Sequence, residues 1–414
     1  MNSSGEGSPV AITGIGMICP LGITASACWE NMLLGKSGIR RITKFDPSEC
    51  VTQIGGQLPE EYFELEKKKT SKRLFKQTVW ATRIIRLCAQ EAIEDSGIEL
   101  DKLEPYRCGV IVGTSGSSVR SPDDFGGPGT EKFKIIREMI NALPARISLD
   151  YGFKGPTFTI SASCTSGSYA IAEAYELIRW EVADLAVAGG VDNLLTKNFI
   201  RRGNLMKILS EDNGEPEKAM RPFDKTRSGF VMSDGGCAVV LESYEHAIRR
   251  NARVYAWMRG YGSWSESYSL YSPAPYGEGM ARTIQMALTN ANVPKEKVGY
   301  VSANGTSTVV NDFCETQAIK KVFGKHAYDL LVSSQKSMIG HTVGGSSAIE
   351  FAATALALDT QKIPPTINYE FPDPECDLNY VPNTMVTVRN LEAAISNSFG
   401  FGGHNSVIVL TRFP

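Results

Sequence analysis

A cysteine set among small residues, Ser161-Ala162-Ser163-Cys164-Thr165-Ser166-Gly167-Ser168, is where this sequence could form a covalent bond. The segment follows an apolar run, and residues 169–180 read as a helix that begins inside the small-residue turn. A sulfur at a helix N-terminus faces oriented N–H groups and the positive end of the macrodipole, which favour thiolate over thiol. Serine and glycine around it leave room for a substrate carbonyl to approach the backbone. The plainer alternative is a small buried hydrophobe, the role expected of the other cysteines.

A nucleophile needs an acid/base or electrophilic partner, and histidine is scarce: four in the chain, at His246, His326, His341 and His404. His341 stands in Lys336-Ser337-Met338-Ile339-Gly340-His341-Thr342-Val343-Gly344-Gly345, a glycine-lined turn that opens an apolar helix over 348–358. A ring nitrogen held at such a turn can meet a bound carbonyl; a histidine that merely caps the helix is the alternative. His246, in a charged run, and His326, after Gly324-Lys325, read as solvated. His404, beside Gly402 and Gly403, is intermediate between a site residue and a loop contact.

The elements that must hold these residues are legible in outline. Buried-type strands are expected at 10–16, 108–112, 185–188 and 238–241, with helical periodicity over 78–96 and 166–179. Strands alternating with helices predict an α/β fold with buried sheets. Two segments, Gly235-Gly236-Cys237-Ala238-Val239-Val240-Leu241 and the run from Gly402-Gly403 to Leu410, each lead a double glycine into an apolar strand. They suggest two similar halves, 1–250 and 251–414, dividing in the charged stretch 245–254. The Gly-, Pro- and Ser-rich stretch 118–132 reads as a surface loop.

A chain of 414 residues can bury a large core, and its net charge of -2 gives no reason to expect nucleic acid or an acidic membrane surface as partner. Nine cysteines without a CxxC pair or metal-ligand spacing fit free thiols in a reducing compartment. The first eight residues lack the basic start and apolar run of a signal peptide, and no stretch is long and apolar enough to span a bilayer, so a cytoplasmic protein is expected.

Taken together, the Cys164 turn, Asn304-Gly305-Thr306-Ser307-Thr308, Lys336 with His341, and Asn397-Ser398-Phe399-Gly400-Phe401-Gly402-Gly403 resemble a β-ketoacyl-acyl-carrier-protein synthase of the elongating type. Arg221-Pro222-Phe223-Asp224 and Gly229-Phe230-Val231 fit the same resemblance, which runs from about Pro9 to the C-terminus. It implies the thiolase fold, two βαβαβαββ halves in a five-layered α/β/α/β/α arrangement, as a homodimer or as one half of a ketosynthase heterodimer. It also implies an acyl-carrier-protein partner, a substrate carried on phosphopantetheine, no metal and no bound organic cofactor.

By the same resemblance Cys164 accepts an acyl chain, the N–H groups of Cys164 and Phe401 form the oxyanion hole, and His341 is one of two histidines that assist decarboxylative condensation with malonyl-carrier protein. Lys336 is an electrostatic support paired with Glu350. Thr306 and Thr308 bind the pantetheine arm, and Phe401 gates the acyl pocket. Arg201, Arg202 and Lys207 form a basic stretch that either receives a carrier protein or is simply solvated.

One position departs from the pattern. Asn304 stands where the resemblance calls for the first catalytic histidine, and an amide can donate a hydrogen bond to an enolate oxygen but cannot exchange a proton near neutral pH. Condensation is expected to suffer more than acylation of Cys164. Three accounts fit: a non-elongating member that passes acyl chains along, a working enzyme in which His341 suffices, or a change introduced to trap a complex. Thiolases need a second cysteine in the C-terminal glycine loop, and Phe399-Gly400-Phe401-Gly402-Gly403 has none. A silent subunit that shapes the tunnel of a heterodimer typically lacks the nucleophile that Cys164 would supply.

Overall fold

Glycine-punctuated runs of Val, Ile and Ala form the strands that carry the site. The computed structural model describes residues 9–116 and 131–413. The expected surface loop at 118–132 lies outside the described residues, except that Glu131–Phe133 form a single 3-10 turn.

Among the described residues the main sheet has ten strands: β1 (Val10–Ile18), β2 (Cys108–Gly113), β3 (Thr157–Ile160), β4 (Leu185–Asn193), β5 (Asp234–Ser243), β6 (Ala256–Ser265), β7 (Val298–Ser302), β8 (Leu331–Ser333), β9 (Ala393–Gly400) and β10 (His404–Thr411). Six helices lie between consecutive strands of the repeat: α1 (Trp80–Asp95), α2 (Ala142–Tyr151), α3 (Ser166–Arg179), α4 (Glu278–Ala291), α5 (Val309–Phe323) and α6 (Ser346–Thr360). Leaving short helices and two-stranded ribbons aside, the chain runs β1-α1-β2-α2-β3-α3-β4-β5 and then repeats as β6-α4-β7-α5-β8-α6-β9-β10.

Pairing repeats as faithfully as order. β1 is antiparallel to β5 and β5 to β4, whereas β4, β2 and β3 are parallel. Likewise β6 is antiparallel to β10 and β10 to β9, whereas β9, β7 and β8 are parallel. The halves join where Val10–Ile12 of β1 pairs with Ala256–Met258 of β6, giving the order β8-β7-β9-β10-β6-β1-β5-β4-β2-β3. Of the two double glycines, Gly235-Gly236 lies inside β5 and Gly402-Gly403 in the turn before β10.

α3 and α6 pack on each other and on strands of both halves, α1 covers β1, β5 and β4, and α4 covers β6 and β10. Residues 346–358 of α6 are all buried, as a helix in a central layer requires. The result is the α/β/α/β/α thiolase arrangement, with β4 buried along its whole length between helices.

Small residues decide how near the central elements come. A Cβ on Gly190 of β4 would stand 2.3 Å from the Gly344 carbonyl oxygen and 2.8 Å from Gly167 Cα. Gly190, Gly167 of α3 and Gly344 therefore meet backbone to backbone, which brings the Cys164 turn beside the loop carrying His341. No helix is long and apolar enough to cross a membrane among the described residues.

Candidate active site

Cys164 sits in a 3-10 turn, Ser163–Thr165, that leads directly into α3. Ser163 has φ +54°, a left-handed conformation that an L residue adopts at some cost, and the turn is tied down on both sides. The Ser166 hydroxyl donates to the Ser163 carbonyl at 2.6 Å, and the Ala162 N–H donates to the Ser166 Oγ at 2.9 Å. A matching 3-10 turn, Val343–Gly345, leads into α6, and there Val343 has φ +49°. Asp192, at the end of β4, holds this second turn by accepting the Gly344 N–H at 2.8 Å.

These two turns place Cys164 Sγ 3.2 Å from His341 Nε2. The Val343 N–H donates to His341 Nδ1 at 3.3 Å, and a backbone amide can only donate. Nδ1 is therefore an acceptor, the ring proton lies on Nε2, and the N–H points at the sulfur and the space around it. The Ser346 Oγ, 2.8 Å from Nδ1, fixes the same edge of the ring. Burial, and then the charge of Lys336, hold His341 well below its ordinary pKa, so the ring stays neutral.

The sulfur itself is a buried thiol. Cys164 is 9% exposed, and burial pushes its pKa up against three weaker opposing effects: a hydrogen bond from Ser163, the charge of Lys336 and the Phe401 N–H. The thiolate favoured on helix-dipole grounds is thus offset by desolvation in the resting state. Alkylation of Cys164 by iodoacetamide, followed by peptide mass spectrometry, is expected to keep accelerating above about pH 8.5, the ordinary cysteine value. A rate already level at neutral pH would contradict this.

Asn304 follows β7 and is 1% exposed. The Lys336 Nζ donates to its carbonyl oxygen at 2.7 Å and to its Oδ1 at 3.2 Å, and makes a close ion pair with Glu350. The orientation of the Asn304 amide follows from chemistry: an ammonium can only donate, so Oδ1 must face Lys336. Nδ2 donates to the Phe399 carbonyl at 3.2 Å and to Asn311 Oδ1 at 3.0 Å. Both side-chain hydrogens are committed, so the expected donation to a developing enolate is not on offer in this arrangement. Glu315, a residue the sequence did not point to, accepts the N–H groups of Asn304 and Gly305, each at 2.9 Å, and burial pushes its carboxyl up to about 7.

A cavity of about 400 Å³ connects these groups to the surface. Cys164, His341, Phe399 and Phe401 line it inside, Thr306 and Thr308 further along, and the exposed Met206, Lys207 and Tyr271 near the mouth. The Thr306 and Thr308 hydroxyls lie 2.9 Å apart. Arg201 and Arg202 are exposed on the short helix Lys197–Leu205. His404 is not part of this lining and instead meets Tyr169 edge-on. His246 and His326 are half-buried and paired, not solvated: His246 Nδ1 lies 2.5 Å from Glu242 and His326 Nε2 is 2.9 Å from the Val298 carbonyl. Among the described residues no three His, Cys, Asp or Glu side chains converge as a metal-ligand set.

A family model for the β-ketoacyl synthase N-terminal domain matches residues 7–247, and one for the C-terminal domain matches residues 255–370. The chain belongs to the β-ketoacyl synthase family. It is 39% identical over 410 residues to the 3-oxoacyl-[acyl-carrier-protein] synthase 2 of Coxiella burnetii (strain RSA 493 / Nine Mile phase I), covering 97% of this chain and 98% of the relative. It is 37% identical over 415 residues to a putative polyketide β-ketoacyl synthase 1 of Streptomyces cyaneus, covering 97% of each. Two solved structures share the fold of this ketoacyl synthase. One is a type II polyketide synthase acyl-carrier protein in complex with its ketosynthase bound to the hexaketide, with TM-score 0.87 and 30% identity over 99% of this chain and 100% of that one. The other is the ishigamide ketosynthase/chain length factor, with TM-score 0.89 and 29% identity over 99% and 100%. The chain is thus a family acyltransferase of the condensing type.

Proposed function

We propose that this ketoacyl synthase takes an acyl group from the phosphopantetheine thiol of an acyl-carrier protein onto Cys164, in fatty acid or polyketide biosynthesis in the cytoplasm. The observation that carries the reading is the Cys164 sulfur 3.2 Å from His341 Nε2 at the inner end of a cavity open to solvent. Cys164 Sγ attacks the thioester carbonyl, the carbonyl oxygen becomes an oxyanion, and the carrier's sulfur departs with the thiol proton. The Cys164 and Phe401 N–H groups are the oxyanion donors in this scheme; the Phe401 N–H already points at the sulfur. Thr306 and Thr308 line the passage for the pantetheine arm.

In the second half-reaction a malonyl thioester loses CO2, and the enolate carbon forms a bond to the acyl carbon on Cys164, releasing the sulfur. His341 Nε2–H is the donor for the enolate oxygen, Asn304 supplies none as it stands, and the Lys336–Glu350 pair fixes the amide from behind. The proposed halves are residues 1–250, carrying Cys164, and 251–414, carrying Asn304 and His341. The exposed Arg201, Arg202 and Lys207 would face an acidic carrier protein. A homodimer and a ketosynthase heterodimer with this chain as the acylated half both fit.

The test is intact-protein mass spectrometry after mixing with a medium-chain acyl-carrier protein. An acyl adduct that maps to Cys164 and is absent from Cys164→Ala is expected; no adduct on the parent protein would refute the reading. The engaged Asn304 amide favours, as second reading, a non-elongating transacylase, in which the adduct forms but no CO2 is released from malonyl-carrier protein. A silent tunnel-shaping subunit would instead leave the activity of an assembled complex untouched by Cys164→Ala.

A further inference from the structure

We propose that Asn311 is a positioning residue that keeps one Asn304 amide hydrogen engaged and so sets how strongly this site favours acyl transfer over decarboxylation. The proposal rests on the acyl-enzyme reading above and concerns a residue which that reading does not use. Asn311 lies in the first turn of α5 and lines the cavity, while Asn304 is buried behind that lining.

The hydrogen bonds run in one direction from the centre of the site to the edge of α5. Lys336 Nζ donates to Asn304 Oδ1, Asn304 Nδ2 donates to Asn311 Oδ1, and Asn311 Nδ2 donates to Asp312 Oδ1 at 3.1 Å. Every orientation in this relay is fixed by a group with a single role. Lys336 can only donate and the Phe399 carbonyl can only accept, so the Asn304 amide cannot be turned over. Asp312, fully buried, accepts the Phe223 N–H at 2.8 Å and has the Arg227 guanidinium 3.8 Å away, which anchors the far end.

Of the two acceptors that occupy Asn304 Nδ2, the Phe399 carbonyl belongs to the backbone of β9, and no side-chain change removes it. Asn311 Oδ1 is the side-chain acceptor, and Asn311 itself lines the cavity. Removing it leaves one Asn304 N–H without a partner beside a cavity into which a thioester carbonyl can enter. An unpaired buried donor is costly, so a ligand oxygen that pairs with it is stabilised. In this scheme Asn311 restrains the enolate-forming half-reaction and leaves the thiol chemistry to Cys164 and Phe401.

The experiment compares two rates in the full-length protein: formation of the Cys164 adduct from acyl-carrier protein, and CO2 release from malonyl-carrier protein. Asn311→Ala, which removes the acceptor and opens the lining in front of the Asn304 amide, is expected to raise the ratio of CO2 release to acylation by about tenfold. Asn311→Asp, which keeps an acceptor oxygen, is expected to hold the ratio near its original value, an outcome a purely structural role does not predict. In an Asn304→Ala background the effect of Asn311→Ala is expected to vanish, since the two residues act as one unit. Asn311→Leu, which removes the acceptor but keeps the lining closed, is expected to leave the ratio unchanged. An adduct with an unchanged ratio in Asn311→Ala, or a rise that persists without the Asn304 amide, overturns the role given to Asn311. Absence of any adduct overturns the Cys164 reading and this proposal with it.

Discussion

Asn304→His is expected to raise CO2 release from malonyl-carrier protein by about a hundredfold, the effect of restoring one well-placed donor to an enolate oxygen. Asn304 Oδ1 and an imidazole Nδ1 occupy equivalent places one bond beyond Cγ, and the Lys336 Nζ donates to that place now, at 3.2 Å. A cation that can only donate would hold the introduced ring with Nδ1 unprotonated and Nε2 carrying the hydrogen, the tautomer His341 already adopts. Two N–H groups on different loops would then face one thioester oxygen. Radiolabelled malonyl-carrier protein measures the release directly, alongside the rate of Cys164 acylation, which is expected to change far less. If release stays at the parent level while the adduct forms normally, position 304 does not limit decarboxylation.

Lys336→Met is the second large effect, and it falls on stability. The Lys336 side chain is 1% exposed and makes three contacts, with Glu350, Asn304 Oδ1 and the Asn304 carbonyl. Removing one partner of a buried ion pair leaves a desolvated charge and typically costs about 3–5 kcal/mol. The loss depends on pH in a direction that the structure fixes. Burial raises the Glu350 carboxyl above its ordinary range, while Lys336 pulls it back down. Without Lys336 the folded protein holds the Glu350 proton more tightly still than the unfolded chain does. Stability of the variant then falls as pH rises from the ordinary carboxylate value of about 4.3 through the raised folded value.

Urea unfolding of the variant is therefore expected to show a smaller loss near about pH 5 than near about pH 8. An equal loss at both would mean that Glu350 is not the stranded charge. Adding Glu350→Leu to Lys336→Met is expected to recover much of the stability at the higher pH, because a buried pair replaced by apolar side chains leaves no isolated charge.

Much of the site's architecture is legible in the sequence. Cys164 and His341 announce themselves because each sits in a turn so crowded that glycine and serine are the residues that fit, and Gly167, Gly190 and Gly344 show why. The repeat was harder to see, since it lies in strand order and pairing and left little trace beyond the two double glycines. Its helices were placed closely, with the run 166–179 matching α3 and 78–96 differing from α1 by two residues at the start and one at the end. The reading of His246 as solvated failed for a reason the sequence did contain: Glu242, buried at the end of β5, stands four residues before His246 and eight before Arg250 and binds both.

Asn311 and Glu315 were not found, because a polar side chain on the first turns of a helix looks the same whether it faces solvent or a buried neighbour. What selects between them is the loop from Asn304 to Thr308, where Gly305 at φ +34° brings the backbone against Ser334 and turns the amide groups toward α5. That geometry is a property of the folded chain and of no short motif. The thiolate expected at Cys164 was tempered similarly: the helix start is there, but the same packing that creates the turn removes the water a thiolate needs.

The two strained turns at Ser163 and Val343 have a consequence for how the molecule could be taken apart. The sulfur comes from one copy of the repeat and the imidazole from the other, each mounted on the same kind of corner. An excised half would carry a complete set of five strands yet only one member of the Cys164–His341 pair. The Cys164–His341 pair thus exists only at the seam, in a place that neither copy possesses alone.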